Sequence, residues 1–135
     1  MIRAVLDTNI IISSIFWKGK PYEVFRIGIL GRYQILASSG ILEEVMHKLR
    51  TKFHFPEEKI LELKNILMAG CILIEAKSKF EAVRDKNDNK IIECAFDSKA
   101  DYIVTGDLDL LVLKEFNGIK IVTAEKFLKE LKKEL

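Results

Sequence analysis

The chain has 135 residues, 49% hydrophobic and 31% charged, and 22 Lys and Arg against 20 Asp and Glu leave a net charge of +2. That composition suits a single domain over residues 1–135 with one core, and so small a net charge does not by itself announce nucleic acid. No apolar run approaches the roughly 18 residues of a membrane helix, and Met1-Ile2-Arg3-Ala4 leads directly into a strand pattern, so the expectation is a cytoplasmic protein without a signal peptide.

In chain order, short β-rich runs alternate with longer helical patterns, the signature of an α/β fold whose parallel sheet is covered on both faces. The first strand is Ile2–Leu6. Asn9 then caps a helix over Ile10–Phe16 that stops near Gly19, and a second helix follows Pro21. Gln34–Ala37 is the next strand, and Ser38-Ser39-Gly40 opens a helix from Ile41 to about Arg50. Pro56-Glu57-Glu58 opens another, closed by Gly70, before the strand Cys71–Glu75. A fifth helix begins at Asp88 or Asn89 and ends by Ala100. Strands at Tyr102–Val104 and Lys120–Val122 follow, and Thr123 caps a last, Lys-rich helix. All five strands are almost continuously apolar, as expected for strands buried on both sides.

Four acids stand where these elements change. Asp7 follows Ala4-Val5-Leu6, and Asp107 follows Tyr102-Ile103-Val104-Thr105-Gly106, with Asp109 two residues on. Glu44 lies one turn into the third helix, and Asp88 stands directly before Ile91-Ile92. Of Asp85 and Asp88, one is expected to project into a site while the other holds the turn. Taken singly, each acid also fits a helix cap or a solvated charge. A parallel sheet, however, gathers its strand ends along one edge, where converging carboxylates repel unless a divalent ion sits between them. Such a cluster points to metal-assisted chemistry on a phosphate ester.

Other patterns carry less. Cys71 and Cys94 lack metal-ligand spacing and sit in apolar segments, as buried thiols do. Glu44-x-x-His47 has the spacing of di-iron bundle ligands but occurs once, in the wrong fold. A receiver domain would want an acidic pair after the first strand, and a haloacid-dehalogenase-like phosphatase Asp-x-Asp-x-Thr; this chain has Asp7-Thr8-Asn9.

Val5-Leu6-Asp7-Thr8-Asn9, Ser38 through Val45, Asp85-Lys86-Asn87-Asp88 with Cys94-Ala95, and Ala100 through Leu111 occur in the order of the PIN-domain family, and the chain resembles its toxin branch related to VapC ribonucleases over essentially its full length. The resemblance implies a three-layer α/β/α fold with a five-stranded parallel sheet of order 3-2-1-4-5, and cleavage of single-stranded RNA. It assigns Asp7, Glu44, Asp88 and Asp107 to the acidic positions, Asp109 as a fifth, and Asn9 and Thr105 to polar support. It further implies an antitoxin protein partner and a homodimer or higher homo-oligomer, and hard carboxylate oxygens without histidine favour Mg2+ or Mn2+. The expected roles are Asp7 and Asp107 on the principal metal, directly or through water, with Asp88 completing that shell or helping to hold a second ion. Asp109 is a further metal residue and Glu44 positions the attacking water, with one ion or two both open. Lys18, Lys52 and Lys90 are candidates for the RNA backbone, with Lys20 and Lys86 near them and Trp17 for stacking a base. The competing expectation is a PIN-like module that binds RNA or protein with little or no catalytic activity.

Overall fold

The computed structural model describes residues 1–134. Its strands are β1 (Arg3–Leu6), β2 (Gln34–Ser38), β3 (Cys71–Ile74), β4 (Tyr102–Val104), β5 (Glu115–Phe116) and β6 (Ile119–Val122). The helices are α1 (Thr8–Phe16), α2 (Lys20–Ile29), α3 (Ser39–Thr51), α4 (Glu57–Gly70), α5 (Lys86–Asp97), α6 (Leu108–Leu111) and α7 (Ala124–Glu134).

The sheet runs β3-β2-β1-β4-β6-β5. Its first five positions are parallel, with the expected order, and Leu6 stands beside Val104 where β1 meets β4. The expected count of five strands is corrected by one. β5 adds a two-residue antiparallel edge to β6 through a hairpin at Asn117-Gly118, whose φ values of 49° and 83° are those of a tight two-residue turn. A second correction concerns β3. It is an edge strand, and Ile72 and Leu73 are 39% and 50% exposed rather than covered on both faces.

Crossovers run toward β3 before the third strand and back toward β4 after it, which places helices on both faces. Helix α5 lies against β1, β2 and β4, and α7 packs with α2, Phe127 meeting Tyr33 and Tyr102 edge-on. Val5, Leu6, Leu36, Ile103 and Val104 from the sheet and Ile11, Val45, Ile91 and Ile92 from the helices are buried in one cluster.

Two helix starts differ from expectation because an earlier side chain satisfies the free N–H groups. Asp7 rather than Asn9 caps α1, and Asp85 caps α5, which therefore begins at Lys86. The irregular segment before α5 is laced to that helix. Asn89 Oδ1 accepts from the Val83 N–H at 3.1 Å, Glu93 from Phe80 at 2.9 Å, and Asp97 from Lys77 and Ser78 at 2.6 and 2.8 Å. Spaced four apart, these three acceptors form one stripe of the helix. Phe80 adds an apolar anchor, packing on Phe96 and Phe116.

Candidate active site

Strand order reverses between β1 and β4, and the crevice beyond the carboxyl ends of such strands is where open α/β sheets take ligands. Asp7 stands just past β1 and Thr105-Gly106-Asp107 just past β4, and the Asp7 N–H donates to the Val104 carbonyl at 2.9 Å. Both segments turn from strand to helix there, so each needs an acceptor for the first unpaired N–H groups. Asp7 Oδ1 accepts from Asn9 at 3.3 Å, and Asp107 Oδ1 from Asp109 at 2.9 Å. The second oxygen of Asp7 takes the Thr105 hydroxyl at 2.6 Å, and the same hydroxyl oxygen accepts the Asp107 N–H at 3.0 Å. Thr105 is fully buried, so one hydroxyl ties the two strand ends together out of water.

Asp88 enters from α5. Asp85 does the capping, accepting the Asn87 N–H at 2.8 Å, which leaves Asp88 in the first turn to face inward, buried. Ligand oxygens of Asp88, Asp107 and Asp109 all lie within 4.8 Å of one another. Burial pushes the Asp88 carboxyl up to about 7, with Asp107 adding next and Asp7 and Asp85 after it. Asp7 is also raised, chiefly by burial, against the Thr105 and Asn9 hydrogen bonds; the Asp107 charge raises it further and the Lys48 charge lowers it.

Among the described residues, Asp7 and Glu44 lie outside that close group of three. Asp7 reaches it electrostatically, through Asp107 and Asp88. Glu44 is held separately: it accepts the Thr8 hydroxyl at 3.2 Å and pairs with Lys48 at 3.4 Å. Lys48 also donates to Asn9 Oδ1 at 3.2 Å, so Asn9 serves Asp7 through its backbone and Lys48 through its side chain. Asp109 joins the acidic group but also pairs with Arg84 at 3.4 Å, both side chains being well exposed.

Thr8, Lys48 and Arg84 were absent from the residues expected at the site. The spacing of Glu44 and Lys48, four apart on one helix with the acid first, is the signal that reveals their pair. Thr8 and Arg84 are brought in by tertiary folding and have no comparable signal. Lys18, Lys52 and Lys90 are all exposed and stand at the periphery, Lys90 beside Gly40 at the start of α3. Trp17 is 64% exposed next to Phe16, which in turn packs on Phe53 beyond the end of α3. Trp17, Lys18 and Lys52 therefore group at the far ends of α1 and α3, about 12 Å along the α3 axis from Glu44 in the case of Lys52.

Carboxylates this close repel one another when ionised, and a raised Asp88 is one relief of that repulsion. A divalent cation is the other, and the all-oxygen donor set fits one.

A family model described as PIN domain matches residues 3–109. An uncharacterized protein of Methanocaldococcus jannaschii is 30% identical over 145 residues, which cover 98% of this chain and 93% of the relative. By fold, the chain is similar to a solved structure of VapBC2 from Rickettsia felis bound to a DNA fragment from their promoter. The TM-score is 0.67 at 17% identity, over 90% of this chain and 98% of that one.

Proposed function

Since the chain belongs to the PIN-domain family, we propose that it is a metal-dependent endoribonuclease that cleaves single-stranded RNA and acts as the toxin of a toxin–antitoxin pair. The observation that carries the chemistry is the convergence of Asp88, Asp107 and Asp109 at the reversal point of the sheet, with Asp7 tied to the same strand ends. Carboxylate oxygens without histidine favour Mg2+ or Mn2+, held by Asp88 and Asp107 with Asp7 and Asp109 beside them. Such an ion, when bound, lowers the pKa of water and offsets charge on the scissile phosphate.

The remaining work falls to the chain's own groups. Thr105 keeps Asp7 and Asp107 in register by bonding both. Glu44, aimed by Thr8 and Lys48, orients the attacking water and accepts its proton. Trp17 stacks a base, and Lys18, Lys52 and Lys90 bind backbone phosphates flanking the cut. Apolar residues left exposed on α2 and after it, Ile29 and Leu30, support a protein partner there. The likeness to the VapBC2 chain supports an antitoxin as that partner; the toxin itself is then a homodimer or higher homo-oligomer of the cytoplasm.

Purified protein incubated with single-stranded RNA in Mg2+, Mn2+ or EDTA tests the chemistry. Internal cuts that need the ion and vanish in Asp7→Asn are expected; cleavage that survives EDTA, or RNA binding without cuts, would sink it. Growth arrest on expression, relieved by the product of an adjacent gene, tests the toxin role separately.

A further inference from the structure

We propose that Lys48 is the second cation of this site, standing where another metal ion would otherwise bind and leaving a single divalent ion on the side of Asp88 and Asp107. The inference rests on the metal-dependent reading above and says how that site balances its charge. The proposed site draws on five carboxylates, those of Asp7, Glu44, Asp88, Asp107 and Asp109, and two of them, Glu44 and Asp109, are in salt bridges. The two pairs are unequal. Arg84 is 90% exposed and Asp109 50%, so water and salt screen their contact. Lys48 and Glu44 expose only 23% and 12% of their side chains, so their attraction is far less screened.

Lys48 is also fixed at more than one point. Its Nζ meets Glu44 Oε1 at 3.4 Å and Asn9 Oδ1 at 3.2 Å, while Thr8 holds the other Glu44 oxygen at 3.2 Å. A second hard cation would need oxygen ligands on this side, and the ones that Glu44 and Asn9 offer are engaged by a compact ammonium. Lys48 is thereby a positioning residue. It sets the direction of the Glu44 carboxylate and keeps that carboxylate off the metal, available to the attacking water.

Uptake of Mn2+ by the protein without RNA, followed by electron paramagnetic resonance and calorimetry, tests this. Wild type is expected to take up a single ion per chain. Lys48→Ala should open a second, weaker uptake step that adding Glu44→Gln closes again, whereas Lys48→Arg should keep single uptake. Glu44→Gln alone should leave the first affinity unchanged. In turnover, Lys48→Gln should lower kcat on the order of a hundredfold with little change in KM, as misplacement of a water-positioning group does, and Lys48→Arg should recover most of it. Circular dichroism melts confirm that each variant is folded. A second ion in wild type, single uptake by a folded Lys48→Ala chain, or a loss of roughly tenfold in first-ion affinity, about 1.4 kcal/mol, in Glu44→Gln overturns the proposal while the nuclease reading stands. No Mn2+ uptake by wild type overturns both.

Discussion

Thr105 shows how much a single hydroxyl can carry at a buried strand end. It donates to Asp7 and accepts from the Asp107 N–H, so Thr105→Val leaves an oxygen and an N–H short of partners. Stranding buried polar groups costs about 1–3 kcal/mol. Urea denaturation of Thr105→Val should show a loss of that size, together with weaker cleavage, and Thr105→Ser should restore both. Asp107→Asn behaves differently, because the amide oxygen can still cap α6 and the fold should persist. The charge is what disappears: cleavage should fall by at least roughly 100-fold, and the Asp88 carboxyl, which Asp107 helps to raise, should titrate lower by NMR. An Asp88 titration unmoved by Asp107→Asn would refute the coupling. The acids at 7 and 107 were visible in the sequence because each interrupts an apolar run. Thr8 was not, since its meaning lies in which side chain it reaches across the fold, whereas the spacing of Glu44 and Lys48 on one helix carries their pair.

At the level of elements, the parallel order followed from alternation of strands and helices, but the additions to it did not. Helix α6 has four residues, too few for a period, and its formation depends on the Asp107 cap. The Asn117-Gly118 pair is a strong hairpin signal that alternation overrode, so β5 went unforeseen. Periodicity also cannot tell an edge strand from a central one, which is why β3 was expected to be covered. Helix α5 closes on Lys99 in the left-handed conformation, φ 56°, with Ala100 N–H returning to the Ala95 carbonyl at 2.9 Å. A side chain there carries a conformational cost that glycine lacks. Lys99→Gly should therefore stabilise by up to about 1 kcal/mol in thermal melts, with cleavage per molecule unchanged; a lower melting temperature would argue against it.

Over the whole molecule, the site couples stability to pH. Unfolded Asp titrates near 3.9, whereas Asp88 in the folded chain titrates at about 7, so the metal-free native state holds this proton more tightly. Its contribution is complete below about pH 4 and is lost as pH rises through about 7. Asp97 works in the opposite sense, held below the usual range chiefly by the Ser78 hydroxyl, and so titrates under this window. In EDTA the melting temperature should fall between pH 5 and pH 8, and Mn2+ should raise it more at pH 8 than at pH 5. Asp88→Asn should flatten both trends; equal Mn2+ shifts at the two pH values in wild type would contradict the assignment. The lacing of residues 77–83 onto Asn89, Glu93 and Asp97 extends this coupling in another direction. A long irregular connection is ordinarily where a protease cuts first, yet here its backbone is clasped by the helix that also carries Asp88. Nicking between Lys77 and Val83 should therefore track the unravelling of α5, making limited proteolysis a gauge of how firmly the site is built.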